Sequence, residues 1–258
     1  MLAVASWNVN SLRVRMPQVL DWLRDTQPDV IGIQETKTVD EAFPVDAIEA
    51  AGYRAIFSGQ KTYNGVALLS CLEDEAADVV TDIPELDDPQ RRVIGATYGN
   101  LRVINLYVPN GSEVGSEKYA YKLDWLDKLA TYLEAQLQAY DQIVVIGDFN
   151  IAPEDRDVHD PAAWEGSVLV SPAERTALQR IVDLGLRDTF RLFDQAENSF
   201  SWWDYRAAGF RRNRGLRIDH ILASAALAER CTSCSIDTEP RKLERPSDHA
   251  PIIAAFDI

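Results

Sequence analysis

Six apolar runs along the chain end in groups that can bind a cation or move a proton. "ASWNVN" closes on Asn8 and Asn10, "IGIQETK" on Gln34 and Glu35, "INLYVPN" on Tyr107 and Asn110, and "VIGDFN" on Asp148 and Asn150. "LRIDH" carries Asp219 and His220, and "RPSDHAP" presents Asp248 and His249 just before the final apolar run. One such residue is an ordinary turn former, because Asn and Asp bond their own backbone. Six at the same structural position call for a common cause. A carboxylate set so close to an apolar run needs a cation or hydrogen-bond donors. If these ends meet at one edge, they form one polar pocket.

The inventory limits the chemistry. Carboxylates and amides without a cysteine cluster favour a hard cation, Mg²⁺ or Mn²⁺. The chain has three histidines, too few for a His-rich zinc site, and "CTSC" at 231–234 lacks a second pair of ligands, so its thiols are expected to be structural. Magnesium held by one or two carboxylates usually serves a phosphate substrate. An Asp–His pair activates or orients a nucleophile. The chain has no GxxxxGK[ST] loop, so nucleoside triphosphate chemistry is not indicated. The residues themselves lead to a metal-dependent phosphoesterase.

Strands must position these groups. Short runs rich in Val and Ile at 2–9, 29–36, 65–70, 91–98, 101–109, 142–149, 216–223 and 250–258 read as strands. Helical periodicity appears at 15–27, 117–140 and 171–185. The last of these opens on Ser171 and Pro172, carries Glu174 at the capping-box position and stops at Gly185. No linker rich in Gly, Pro or Ser divides the chain, so residues 1–258 are expected to form a single α/β domain. Two stacked sheets with helices outside and a doubly wound sheet both suit this pattern.

The formal net charge of -15 weighs against a nucleic-acid partner, which is held by Lys and Arg. The distribution says otherwise. Residues 202–217 carry Arg206, Arg211, Arg212, Arg214 and Arg217 against Asp204 alone, interleaved with aromatics. No apolar stretch is long enough to span a membrane. The N-terminus lacks a basic start followed by a long apolar segment, so a cytoplasmic protein with no membrane partner is expected. No heptad suggests assembly, and a monomer is expected.

In order along the chain, "WNVNSLR", "QETK", "NGVALLS", "LYVPNG", "GDFNIAP", "SWWDYR", "NRGLRIDHIL" and "SDHAPI" resemble the signatures of the exonuclease III family of apurinic/apyrimidinic endonucleases. The match runs from residue 4 to about 256. "GDFN" and "SDH" are shared across the wider endonuclease/exonuclease/phosphatase superfamily, whereas "SWWDYR" followed by "NRGLRID" is specific to its DNA-repair branch. The resemblance implies a four-layered α/β sandwich of DNase I-like type, two packed β-sheets flanked by helices. It implies a Mg²⁺-dependent phosphodiesterase that cuts duplex DNA 5′ to abasic sites and clears blocked 3′ ends.

By position, the resemblance makes Glu35 the main metal ligand, with Asn8 and Asn10 beside it and Asp148, Asn150 and Asp248 in the metal region. Asp219 would orient His249 against the scissile phosphate, Asp148 held by Asn150 would activate water, and Tyr107 would bond a phosphate oxygen. Trp202, Leu216 and Ile218 would wall a pocket for a flipped-out abasic sugar. Asn64, Gly65, Asn110, Lys122 and Asn213 would face the DNA, with Arg206, Arg211 and Arg212 on its backbone. His220 is expected to be structural.

The sequence departs from the family at two of these positions. Asn10 stands where some members have aspartate, and Leu216 where some have an aromatic. A bulky Leu169 in "WEGSVLVSPAER" would obstruct an internal abasic site and leave only 3′-exonuclease and 3′-phosphatase work. A lipid- or inositol-phosphate phosphodiesterase of the same superfamily is the alternative that the Arg-aromatic segment disfavours.

Overall fold

The computed structural model describes residues 1–86 and 88–258. Its strands, in chain order, are β1 (Leu2–Asn8), β2 (Val30–Gln34), β3 (Arg54–Ser58), β4 (Val66–Ser70), β5 (Ala77–Val80), β6 (Val93–Tyr98), β7 (Leu101–Tyr107), β8 (Gln142–Asp148), β9 (Leu186–Asp188), β10 (Trp202–Trp203), β11 (Gly215–Leu216), β12 (Asp219–Ser224), β13 (Cys231–Ile236) and β14 (Ile252–Phe256). They form one six-stranded sheet in the order β13-β14-β1-β2-β4-β3, a second in the order β5-β6-β7-β8-β12-β9, and a ribbon of β10 and β11. The helices that cover them include α1 (Leu12–Thr26), α2 (Val45–Ala50), α3 (Glu117–Ala139), α4 (Pro161–Trp164) and α5 (Pro172–Asp183).

Strand alternation decides the layers. Val4, Val30, Leu68, Ile146, Ile221 and Ile252 project between the sheets and make the central core. Their neighbours Ala5, Ile31 and Leu69 point the other way, onto Leu12, Val19 and Leu23 of α1 and Ile48 of α2. Ile143, Val145 and Leu222 point outward onto Trp125, Leu126 and Leu129 of α3 and Leu178 and Ile181 of α5. Strands buried on both faces explain why the central runs are continuously apolar. Each fully buried Val, Leu or Ile contributes about 1.5–3 kcal/mol, so this packing sets the order α/β/β/α.

The helices start where their caps dictate. Ser116 Oγ accepts from Tyr119 N at 3.1 Å to open α3. Ser171 and Glu174 form the expected capping box of α5. The expected strand at 216–223 is instead two: β11 pairs with β10, and β12 begins at Asp219. β3, β5, β9 and β13 were not anticipated. All four are sheet edges, exposed enough to lack a continuous apolar run.

Gly147 interrupts the apolar run of β8 for a steric reason. Its φ is +146°, and a β-carbon there would stand 2.0 Å from the Leu106 carbonyl oxygen of β7. That atom is backbone in a paired strand and cannot yield. Gly147→Ala is therefore expected to cost at least roughly 1–3 kcal/mol, the range for overpacking a filled interior. Thermal denaturation checks this; an unchanged melting temperature would contradict the tight β7–β8 approach.

Candidate active site

Pairing brings the polar strand ends to one edge. β1 runs parallel to β2 with Asn8 opposite Gln34. β7 runs parallel to β8 with Tyr107 opposite Asp148. β12 is antiparallel to β8, so its first residue, Asp219, faces Asp148. β14 is antiparallel to β1, which carries His249, just before it, to the same edge. Side chains link the two sheets there: Asn8 Nδ2 donates to Glu35 Oε1 at 2.9 Å and to Asp148 Oδ2 at 2.9 Å, and Gln34 Nε2 donates to Asn105 Oδ1 of β7 at 2.6 Å.

His249 is buried and held from one side. Its Nδ1 stands 2.9 and 3.1 Å from the carboxylate oxygens of Asp219, which is fully buried. Its Nε2 faces Asp148 Oδ2 at 3.7 Å. Burial pulls the imidazolium pKa down, but the charges of Asp219 and Asp148 overcome this and raise it to about 10. Burial likewise pushes the Asp148 carboxyl up to about 7, against the opposing pull of His249. Asp148 is fixed by Asn8 Nδ2 and by Asn150 N, which donates to Oδ1 at 2.9 Å. Burial, then the charges of Glu35 and Asp148, hold the Tyr107 hydroxyl well above its ordinary range, so it remains a donor.

Ligand atoms of Glu35, Asp148 and His249 lie within 4.8 Å of one another. The two carboxylates suit a hard cation, because their oxygen atoms converge on one small space. His249 has Nδ1 engaged by Asp219, which leaves Nε2 as its free ring nitrogen on the side of Asp148. The other expected ligands are hydrogen-bonded to their neighbours. Asn10 Nδ2 donates to Asp248 Oδ1 at 2.9 Å. Asp248 Oδ2 accepts from Trp202 Nε1 at 3.0 Å. Asn150 Nδ2 donates to Val108 O at 3.0 Å, and its Oδ1 accepts from Asn110 Nδ2 at 3.2 Å.

The residues expected on DNA divide. Arg206, Arg211, Arg212 and Asn213 are exposed. Arg206 is paired with Asp204 at 2.8 Å, and Asn213 bridges Trp203 Nε1 and Asn198 O at 3.0 Å each. Asn64 and Asn110 line a groove of about 480 Å³ with Tyr63, Gln90 and Arg92. Gly65 is buried against the Thr36 side chain. Two readings are corrected. Lys122 is fully buried, with no surface to offer DNA; its ammonium group is taken up by Glu174 and by loop carbonyls. Arg217, counted with the surface arginines, is fully buried between Asp157 at 2.6 Å and Asp188 at 2.7 Å.

Trp202 is half-buried beside an apolar cluster of Ala152, Val158, Leu169, Val170, Leu216 and Ile218. Leu169 is itself buried in that cluster. Its φ is +76°, a conformation that costs a residue with a β-carbon roughly 1–2 kcal/mol. Asn10, Glu35, Lys37, Asn64, Asn150 and Asn213 also have φ between +45° and +53°. Backbone strain of this kind gathers where side chains must be aimed.

Sequence reasoning missed three supporting groups. Lys37 Nζ lies 2.8 Å from Glu35 Oε2; its place two residues after Glu35 in "QETK" was the available signal. Arg92 stacks over the Tyr107 ring at 4.7 Å, and Ser247 Oγ donates to Asn8 O at 2.6 Å. His220 is structural as expected. Its Nε2 donates to Ile151 O at 2.9 Å while Nδ1 accepts from Arg217 at 3.1 Å, and burial lowers its pKa.

Comparison with known proteins supplies the context. Residues 5–249 match the model of the Endonuclease/Exonuclease/phosphatase family. The exodeoxyribonuclease III of Haemophilus influenzae is 43% identical over 264 residues, covering 97% of this chain and 98% of that protein. A 3′ phosphatase from Neisseria, solved with a product DNA hairpin, is 44% identical with a TM-score of 0.97, each chain covered completely. An AP endonuclease from Archaeoglobus fulgidus is 40% identical with a TM-score of 0.96, again with complete coverage of both.

The Asp219–His249 pair makes a direct expectation. In metal-free protein, Asp219→Asn should lower the His249 pKa, followed by NMR titration, by roughly 1–3 pH units. The sign follows from the raised folded value: stability from this charge is full below about 6.5 and is lost as pH rises through about 10. An unchanged titration would show that Asp219 does not set the imidazole charge.

Proposed function

Because the chain belongs to the endonuclease/exonuclease/phosphatase family and is a nuclease, we propose that it is a divalent-metal-dependent phosphodiesterase of DNA repair. Its substrates are duplex DNA cut 5′ to abasic sites and blocked 3′ ends. The observation that carries this reading is the meeting of Glu35, Asp148 and the Asp219–His249 pair at one sheet edge, beside the apolar cluster of Leu216 and Ile218. A Mg²⁺ or Mn²⁺ ion, held by Glu35 and Asp148 with the Asn8 amide beside them, would supply positive charge against the phosphate oxygens.

The chain's own groups do the rest. Asp148, held by Asn8 Nδ2 and Asn150 N, takes a proton from water as the water oxygen bonds to phosphorus. The bond from phosphorus to the leaving 3′ oxygen breaks opposite, and that oxygen is protonated from solvent. His249 Nε2–H and the Tyr107 hydroxyl donate to oxygens of the phosphate, where charge builds in the transition state. Arg211, Arg212 and Arg214 lie exposed on an acidic molecule and hold the DNA backbone, so binding weakens with salt.

A second reading restricts the enzyme to 3′-exonuclease and 3′-phosphatase work. It is favoured by Leu169, which is buried among the residues proposed to receive the abasic sugar. One gel assay separates the two, using a duplex with a central tetrahydrofuran abasic analogue and a duplex with a 3′-phosphate at a nick, each with Mg²⁺ and with EDTA. Metal-dependent cleavage of both supports the broader reading. Cleavage of the 3′-phosphate alone selects the narrower one, and cleavage of neither sinks both.

Two variants test the roles. Asp148→Asn is expected to lose about 10²–10⁴-fold in turnover with an unchanged circular dichroism spectrum. Glu35→Ala should raise the metal concentration needed for half-maximal rate; an identical metal dependence would remove Glu35 from the ligand set.

A further inference from the structure

Lys122 of α3 and Glu174 of α5 are both fully buried and form an ion pair. Every hydrogen-bonding position on the two groups is used. An ammonium group has three donors. Those of Lys122 go to Glu174 Oε1, to Asn150 O at 2.7 Å and to Asn110 O at 3.1 Å. The same Oε1 of Glu174 accepts from Leu169 N at 3.0 Å. Its Oε2 accepts from Ser171 N at 3.1 Å and from Ser171 Oγ at 2.5 Å. Ser171 Oγ in turn stands 2.6 Å from Tyr119 OH of α3. Burial presses the ammonium pKa down, and Glu174 and Asp148 oppose that pressure.

Each arm of this pair reaches a different loop of the site. Asn110 and Asn150 belong to the loops after β7 and β8, and Asn150 N fixes Asp148. Leu169 belongs to the loop between α4 and α5 that lies against Leu216 and Ile218. Leu169 O accepts from Ala152 N at 2.8 Å, which closes a ring back to the Asn150 loop. Gly111 shows how closely the parts are fitted: a β-carbon there would stand 3.0 Å from Lys122 Cδ and 3.2 Å from Val168 Cγ2. A helix–helix contact alone would need no charge, since apolar residues replace a buried ion pair at little or no loss of stability.

We propose that the Lys122–Glu174 pair is a positioning node that holds the Asn110 and Asn150 loops and the Leu169 loop as one body. It thereby fixes the distance between the group that fixes Asp148 and the apolar wall. That consequence for substrate choice rests on the reading given above, whereas the node itself does not. Lys122 and Glu174 act through the loops they hold and touch no reacting atom.

The test is the Lys122→Met/Glu174→Met double variant, compared with the unaltered protein by thermal melting, hydrogen exchange and kinetics on the two duplexes. Exchange is expected to rise together in residues 108–112, 150–153 and 166–171 by more than in the central strands, and the melting temperature to fall, because the Asn110 and Asn150 carbonyls and the Leu169 and Ser171 amides lose these partners. On the 3′-phosphate duplex kcat should fall roughly 10- to 100-fold with KM almost constant, as a small misplacement of the reacting groups demands. The ratio of abasic to 3′-phosphate cleavage should also change. Native-like exchange in all three segments, or unchanged kcat and ratio on both duplexes, would overturn the proposal.

Gly111→Ala is the second variant. It displaces the Lys122 stem while keeping both charges; because the added β-carbon also meets Val168, the readout is taken at 150–153, where faster exchange is expected. Undisturbed exchange there would also overturn the node. Because exchange is read on free protein, failure of the unaltered enzyme to cut either duplex would refute the DNA reading without touching this result.

Discussion

Asn8 Nδ2 stands between Glu35 Oε1 and Asp148 Oδ2, 2.9 Å from each, and these two carboxylates come from different sheets. One neutral donor cannot balance two negative charges. Lys37 on one side and His249 on the other supply the compensation that the amide cannot. Everything nearby follows from keeping like charges close enough to act together and apart enough to fold. Hence β8 approaches β7 through a glycine, Ser247 Oγ ties down the Asn8 carbonyl, and Glu35 sits at φ +52° just past the end of β2.

Buried charge behind the site serves a related purpose. Arg217 lies between Asp157 and Asp188, stacks on Phe190 at 5.1 Å and touches His220, two residues before and one residue after Asp219 in the chain. Removing one member of such a network would leave an uncompensated buried charge, typically a loss of about 3–5 kcal/mol. The arrangement fixes the backbone on both sides of Asp219, so the carboxylate that holds His249 has little freedom. Buried acids and bases are nearly matched among the described residues, so the acidic excess lies largely at the surface, and the exposed arginines of 206–214 stand out against it.

Much of this was legible in the residues. The central strands announced themselves because burial on both faces demands unbroken apolar runs. The polar strand ends were conspicuous because each breaks such a run. The edge strands were not: β13, "CTSCSI", alternates small and polar residues, and β3 is half-exposed. The fates of Lys122 and Arg217 were also hidden. A lysine in an amphipathic helix and an arginine in a basic segment look solvated until a partner distant in sequence is placed beside them. Glu174 illustrates the limit well. Its position in "SPAE" declared the helix cap, but the same carboxylate also receives a lysine from 52 residues earlier, which no local pattern records.

The pairing of β1 with β14 has a temporal consequence. Asn8 and Glu35 are carried by the first strands synthesised, Asp148 and Asp219 lie in the second sheet, and His249 precedes the last strand. Contacts so distant in sequence form late, after the entropy of closing the intervening chain has been met. During translation the growing polypeptide therefore holds acidic groups that cannot yet act together. The site is complete only once β14 pairs with β1, because that pairing brings His249 to Asp219 and Asp148. Until then the chain can hold Glu35 and Asp148 but lacks the imidazole that lies beside Asp148 in the folded protein.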